Sequence, residues 1–278
     1  MTEKTLNDIG WTSEYLESTR EVWSAPVSPG DRELLWADSV AERWNGAAPQ
    51  RENLNSFLQR SIRSVGFAHV QRLIDPAAPD DDIVRSLSFL VRDLGEIVPQ
   101  NAQGDLTRVL RDNDGDGNTE LGFHCDTCDL LVLLCLQPAV RGGGNTKLAS
   151  ARHVHDIIEQ ERPDVLALLQ EEWTFDRTGR AGVQTVVSPI LFTQADGTVG
   201  CYYQTRTVRA SGELSARRLE ALDYLDEVLY RPEIAFGLQL AAGDLLVIRN
   251  SRVLHGRSPY VDEPEVPRRV LRVWMDTR

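Results

Sequence analysis

The sequence predicts a mainly β protein with added helices: a double-stranded β-helix, or jelly-roll, core with a helical N-terminal layer and a helical insert. Three observations predict it. Residues 1–100 carry helical periodicity, strand-like segments begin near residue 120 in short, irregularly spaced pieces, and helical stretches interrupt those pieces without alternating regularly with them. A parallel α/β sheet would need regular alternation, and no glycine-rich phosphate loop opens a helix. With 278 residues, 41% apolar, and no internal repeat, the chain fits one domain over 1–278. Residues 1–100 are its mainly helical support and 118–276 the jelly-roll.

Taken in order, Ser28-Pro29-Gly30-Asp31 opens a helix to about Trp44, and Arg51 to Ser64 forms a second. A third runs from Pro79 to Leu94, with Asp80 to Asp82 in its first turn and Ile83, Leu87, Leu90, Val91 and Leu94 at helical spacing. Gly66 to Val70 reads as a short strand. Leu130 to Leu136 is a continuous apolar run, suited to a strand buried on both faces. A helical stretch spans about Ser150 to Glu172, broken near Pro163. Gln184–Phe192 and Val199–Val208 read as strands joined by a turn at Ala195-Asp196-Gly197. Leu214 to Leu229 is an amphipathic helix. Strands beginning at Gly243 and Arg268 flank a loop with three prolines.

A formal charge of −12 repels nucleic acid and anionic membranes, which leaves a small-molecule partner. A homo-oligomer stays open. No run of roughly 18 apolar residues is present, and MTEKTLNDIGWTSEYLEST has neither the basic end nor the apolar stretch of a signal peptide. The expected location is cytoplasmic, where Cys125, Cys128, Cys135 and Cys201 are free thiols.

In Phe123-His124-Cys125-Asp126, residues two apart point to the same face of an extended strand, so His124 and Asp126 can share one ion. His255 follows the strand that begins at Gly243. Two histidines and one carboxylate on one face of an octahedron form the facial set of non-haem iron(II) oxygenases, with three positions left open. The same donors could serve a zinc hydrolase, or a jelly-roll that binds metal without turnover as a sensor or regulator.

Four blocks narrow the choice: ELGFHCD (120–126), RGGGNT (141–146), GDLLVIRNSRVLHGR (243–257) and RRVLRVW (268–274). In order and approximate spacing they resemble the taurine and 2,4-dichlorophenoxyacetate dioxygenase family of Fe(II)/2-oxoglutarate enzymes. The resemblance covers about residues 118–276 and none of the first hundred. It implies Fe(II) held by His124, Asp126 and His255, with 2-oxoglutarate and O2 as co-substrates. The far carboxylate of 2-oxoglutarate then needs a cation, and an arginine fork suits it. Arg268 and Arg272 share one face of the last strand with Val270 and Trp274, while Arg269 faces away with Leu271 and Val273. The resemblance assigns Thr146, Arg268 and Arg272 to 2-oxoglutarate, with Arg272 as a second arginine near the iron. It further implies hydroxylation or desaturation of a C–H bond in a small polar metabolite, such as an amino acid or natural-product intermediate, with release of succinate and CO2. Asp126 disfavours halogenation, because related halogenases carry a small residue there. Substrate contacts implied by position are Thr119, Leu121, Gln204 and Arg206.

Other motifs carry plainer readings. His153 and His155 sit in a capped helix, where residues two apart diverge by about 200°, and read as surface histidines. Asp112 to Gly117 copies half of a calcium loop, yet Phe123 stands at its twelfth position, so a mobile acidic loop at the mouth of the site is expected. Cys125 and Cys128 have zinc-like spacing without a second pair. His69 reads as a satisfied structural histidine.

Overall fold

A computed structural model of the chain describes residues 10–43, 48–111, 118–176, 185–212 and 214–277. The acidic segment 112–117, Trp44 and Gln184 lie outside the described residues.

The N-terminal third is mainly helical. Thr12 caps α1 (Ser13–Ser18) by accepting from the Tyr15 N–H, α2 (Arg20–Trp23) follows, and β1 (Ser24–Pro26) leads to α3 (Pro29–Val40), capped by Ser28. Next come α4 (Ala48–Val65), β2 (Phe67–Gln71) and α5 (Asp80–Val91), the last with three aspartates against its positive N-terminal end. Strands β3 (Glu96–Val98), β4 (Thr107–Leu110), β5 (Leu121–His124), β6 (Leu130–Gln137) and β7 (Thr146–Ser150) open the sheet region. The insert holds α6 (Ala151–Glu161), α7 (Pro163–Leu169), β8 (Trp173–Phe175), β9 (Val186–Ser188), β10 (Leu191–Thr193), β11 (Val199–Cys201), α8 (Thr205–Arg209) and α9 (Ala216–Leu229). The chain closes with β12 (Phe236–Leu238), β13 (Leu245–Arg249), β14 (Val253–Arg257) and β15 (Arg269–Asp276).

Two sheets face each other. The larger runs β1-β2-β13-β6-β15-β3, with β4 also on β15, and the smaller runs β12-β7-β14-β5. All pairings are antiparallel except β1 with β2. The alternation of side chains sorts the core into layers. Leu130, Val132, Leu134, Leu271 and Val273 pack outward against α3, α4 and α5, whereas Leu131, Leu133, Leu246, Val270 and Trp274 point inward between the sheets. A third cluster joins Ala149 and Leu254, on the outer face of the smaller sheet, to α6, α7 and α9. The apolar run 130–136 is therefore covered on both faces, as its composition predicts.

Three expectations need correction. The segment read as one strand to Phe192 is two, β9 pairing with β8 and β10 with β11, with Pro189 between them. The segment Val199–Val208 is not one strand: it ends at Cys201 and resumes as α8. Burial of Val208 and the bonds from the Thr207 and Val208 N–H groups to the Gln204 carbonyl outweigh the strand preference of its threonines and valine. His155 is not a surface residue either. It is buried, with Nδ1 3.2 Å from Asp156 Oδ1. His69 is satisfied as expected, between Ser24 Oγ at 2.9 Å and Asp244 Oδ2 at 3.1 Å.

Candidate metal and co-substrate site

The pairing of β14 with β5 sets His255 directly opposite His124, with ring centroids 4.3 Å apart. His255 thus lies mid-strand in β14. Asp126 lies just past the end of β5, where the Asn250 side chain holds it: Asn250 Oδ1 accepts from the Asp126 N–H at 3.2 Å, and its Nδ2 donates to the Cys128 carbonyl at 3.0 Å. Asp126 Oδ1 comes within 3.9 Å of His124 Nε2. Its other oxygen, Oδ2, accepts from Trp274 Nε1 at 2.9 Å and lies 3.6 Å from Arg272 Nη1.

One donor atom from each of His124, Asp126 and His255 lies within 4.8 Å of the others. Burial pushes the His255 pKa down to about 3, helped by neighbouring His124 and Arg272 against the pull of Asp126, so its imidazole is neutral. Burial alone would raise the Asp126 pKa, but Arg272, the two histidines and the Trp274 hydrogen bond together hold it below the usual carboxylate value. His124 Nδ1 lies 2.9 Å from the Gly122 carbonyl, which places its proton there and leaves Nε2 as a lone-pair donor. Two imidazoles and an ionised carboxylate fit a divalent cation.

These groups open on a cavity of about 520 Å³ that also reaches Thr146, Arg268 and Arg272. Arg268 is buried, and its guanidinium lies over the Tyr260 ring at 5.2 Å. The glycine block explains that placement. Gly142, Gly143 and Gly144 all have positive φ, and a Cβ on Gly144 would sit 3.1 Å from Arg268 Nε. Arg272 lines the same cavity; its Nε donates to Gln100 Oε1 at 2.7 Å and its Nη1 lies near Asp126. Arg269 faces away, paired with Asp80 at the start of α5.

Of the substrate candidates, Leu121, Gln204 and Arg206 line the cavity. Thr119 does not; it is exposed, and only its carbonyl engages the site, accepting from Arg257 Nη2 at 2.9 Å. Arg257 was not singled out in the sequence, although its place two after His255 on one strand puts it on the same face. Gln100 and Asn250 carry no sequence signal of their own. The Cys125–Cys128 spacing leads nowhere, because Cys125 Sγ turns to Cys201 Sγ at 3.4 Å while Cys128 meets Asn250. A second grouping, His155, Asp156 and Glu159, is tied internally through Arg152 and His155 to Asp156.

Residues 44–274 match the family described as "Taurine catabolism dioxygenase TauD, TfdA family". The chain belongs to this family. Among curated relatives it is 31% identical over 207 residues to an FR-33289 synthase of Streptomyces rubellomurinus, covering 66% of this chain and 60% of that protein. This chain therefore spans less than two thirds of that relative's length. It is 29% identical over 234 residues to a uridine-5'-phosphate dioxygenase of a Streptomyces species, covering 77% and 82%. Among solved structures, an asparagine oxygenase in complex with Fe(II), 3-hydroxyasparagine and succinate superposes with a TM-score of 0.71 at 17% identity, covering 92% of this chain and 94% of the other. A non-heme iron oxygenase OrfP in complex with Fe and alpha-ketoglutaric acid gives 0.65 at 16%, with the same coverage. These likenesses establish the jelly-roll fold of this member of the TauD/TfdA family. Among the described residues, no helix is long and apolar enough to cross a membrane.

Proposed function

We propose that the protein is an Fe(II)/2-oxoglutarate-dependent dioxygenase that hydroxylates or desaturates an unactivated C–H bond of a small polar metabolite. An amino acid or a natural-product intermediate fits, with succinate and CO2 released. One observation carries the reading: the His124–Asp126–His255 cluster and buried Arg268 open on the same cavity. The donor set fits iron(II), which when bound supplies the chemistry coupling decarboxylation of 2-oxoglutarate to hydrogen removal from the substrate. The chain's own residues do the rest. His124, Asp126 and His255 hold the cation, and Arg268 with Thr146 takes the far carboxylate of 2-oxoglutarate. Burial favours the Arg268 fork for that task, because a charge-assisted pair strengthens where water is excluded.

The substrate end belongs to Leu121, Gln204 and Arg206. Gln204 is bridged to His124 through the backbone, which fixes the start of α8 beside the metal cluster. Arg206 lines the cavity, and its side chain makes no ion pair among the described residues, whereas Arg209 on the same helix is taken by Asp223 and Asp226. That contrast supports a substrate with an anionic group. The relatives named for uridine-5'-phosphate, and the solved neighbours bound to hydroxylated asparagine and arginine, suit a polar metabolite. We take the chain as one catalytic domain working in the cytoplasm.

The test is anaerobic titration of the protein with Fe(II) and 2-oxoglutarate, which should give a weak visible charge-transfer band that His255→Ala and Asp126→Ala each abolish. Succinate release across a panel of amino acids and acidic metabolites then separates an enzyme from a metal-binding sensor. No release above background would sink the catalytic reading.

A further inference from the structure

Asp126 is the one member of the metal cluster that no strand ladder holds. His124 ends β5 and His255 sits mid-strand in β14, but Asp126 lies in the turn between β5 and β6. A carboxylate on such a turn can present one oxygen to a cation or rotate to present two. Two oxygens would consume one of the positions that co-substrate and O2 require.

We propose that Trp274 is a positioning residue that restricts Asp126 to one-oxygen coordination. The inference rests on the metal assignment above and goes beyond it. Trp274 is buried on the inward face of β15, and its indole N–H, a donor only, points at Asp126 Oδ2 at 2.9 Å. Arg272, two residues earlier on the same face, lies over the Trp274 ring at 4.8 Å and 3.6 Å from that same oxygen. Gln100 holds Arg272 from behind at both its Nε and its backbone carbonyl. With Oδ2 so occupied, Oδ1 is the oxygen turned toward His124 Nε2, at 3.9 Å. Asn250 fixes the backbone of Asp126 and Trp274 fixes its side chain. The carboxylate is thus set before any ion arrives, and outer partners of this kind are worth 10–100-fold in metal affinity.

The experiment replaces Trp274 in the full chain with phenylalanine, and separately with 3-benzothienylalanine, in which sulfur stands for the N–H at nearly unchanged shape. Co(II) is the probe, read by its dissociation constant and its visible ligand-field absorption. The expected result is 10–100-fold weaker Co(II) binding and a shifted absorption band in both variants, with the melting temperature of the metal-free protein preserved in the benzothienyl variant. Wild-type affinity and an unchanged band in the benzothienyl variant would overturn the proposal, even if Trp274→Phe failed to fold. Failure of the unaltered protein to bind Co(II) at all would instead sink the metal assignment itself.

Discussion

At the scale of single residues, the outcome turns on which face of a strand a side chain occupies. Arg268 and Arg269 are neighbours in sequence, yet one is buried at the cavity and the other pairs with Asp80 on the helical side. Arg268→Gln should weaken 2-oxoglutarate binding roughly thirtyfold or more, since removing one partner of a buried charge pair costs about 2–5 kcal/mol. Arg268→Lys should recover little, because an ammonium lacks the planar fork. Arg269→Gln should leave the co-substrate affinity within about threefold, as exposed pairs are worth about 0–1 kcal/mol. Isothermal titration of the anaerobic Fe(II) protein checks all three. The pairing of His124 with Asp126 and the opposite facing of Arg268 and Arg269 were legible from two-residue spacing in extended chain, whereas His255, on a separate strand, was reached through the resemblance of the block that holds it. The tie of Arg272 to Gln100 was not legible, since it joins residues 172 positions apart that meet only when β15 takes its place in the sheet.

At the scale of elements, length decided what could be read. The long helices and β6 show several periods of their pattern, whereas β1, β3, β8 and β12 have three residues each and show none. Such strands exist because neighbours hold them. One example is the latch across β1, β2 and β13: Ser24 and Asp244 flank His69, and Asp244 also accepts from the Arg72 and Ala241 N–H groups at 2.9 Å. Burial would raise the Asp244 pKa, but these hydrogen bonds win and hold it below the ordinary value. A carboxyl lowered on folding stabilises the protein above its unfolded pKa of about 3.9, and that contribution fades as pH falls through the lower folded value. Asp244→Asn should therefore cost about 1–3 kcal/mol at pH 7 and flatten the loss of stability below pH 4, measured by urea melts across that range. The glycine turn gives a second prediction. Gly144→Ala forces a side chain into a φ of +68° and against Arg268, so it should lower stability by about 1–2 kcal/mol and raise the KM for 2-oxoglutarate while leaving Co(II) affinity unchanged.

At the scale of the whole molecule, two helical layers enclose two sheets, and the cluster lies between the sheets, away from the outer layers. Stability and metal binding should accordingly separate. Leu87→Ala, at a fully buried position on α5, should cost about 2–5 kcal/mol, yet the rise in melting temperature on adding Co(II) should persist. At a hundred times the dissociation constant that rise corresponds to about 2.7 kcal/mol, and His255→Ala should remove it. Scanning calorimetry with and without the ion reads both effects. The last strand joins these scales. Its inward residues Val270 and Arg272 line the cavity and Trp274 holds Asp126, while Leu271, Val273 and Met275 fill the layer beneath the helices. A slip of one residue would drive the Arg272 guanidinium into that apolar layer, at a cost of several kcal/mol. The oily side of β15 thus acts as a proof-reader for the chemical side: a chain that folds at all has its cation partners correctly aimed, and misassembled copies are left unfolded before they can bind iron in a faulty geometry.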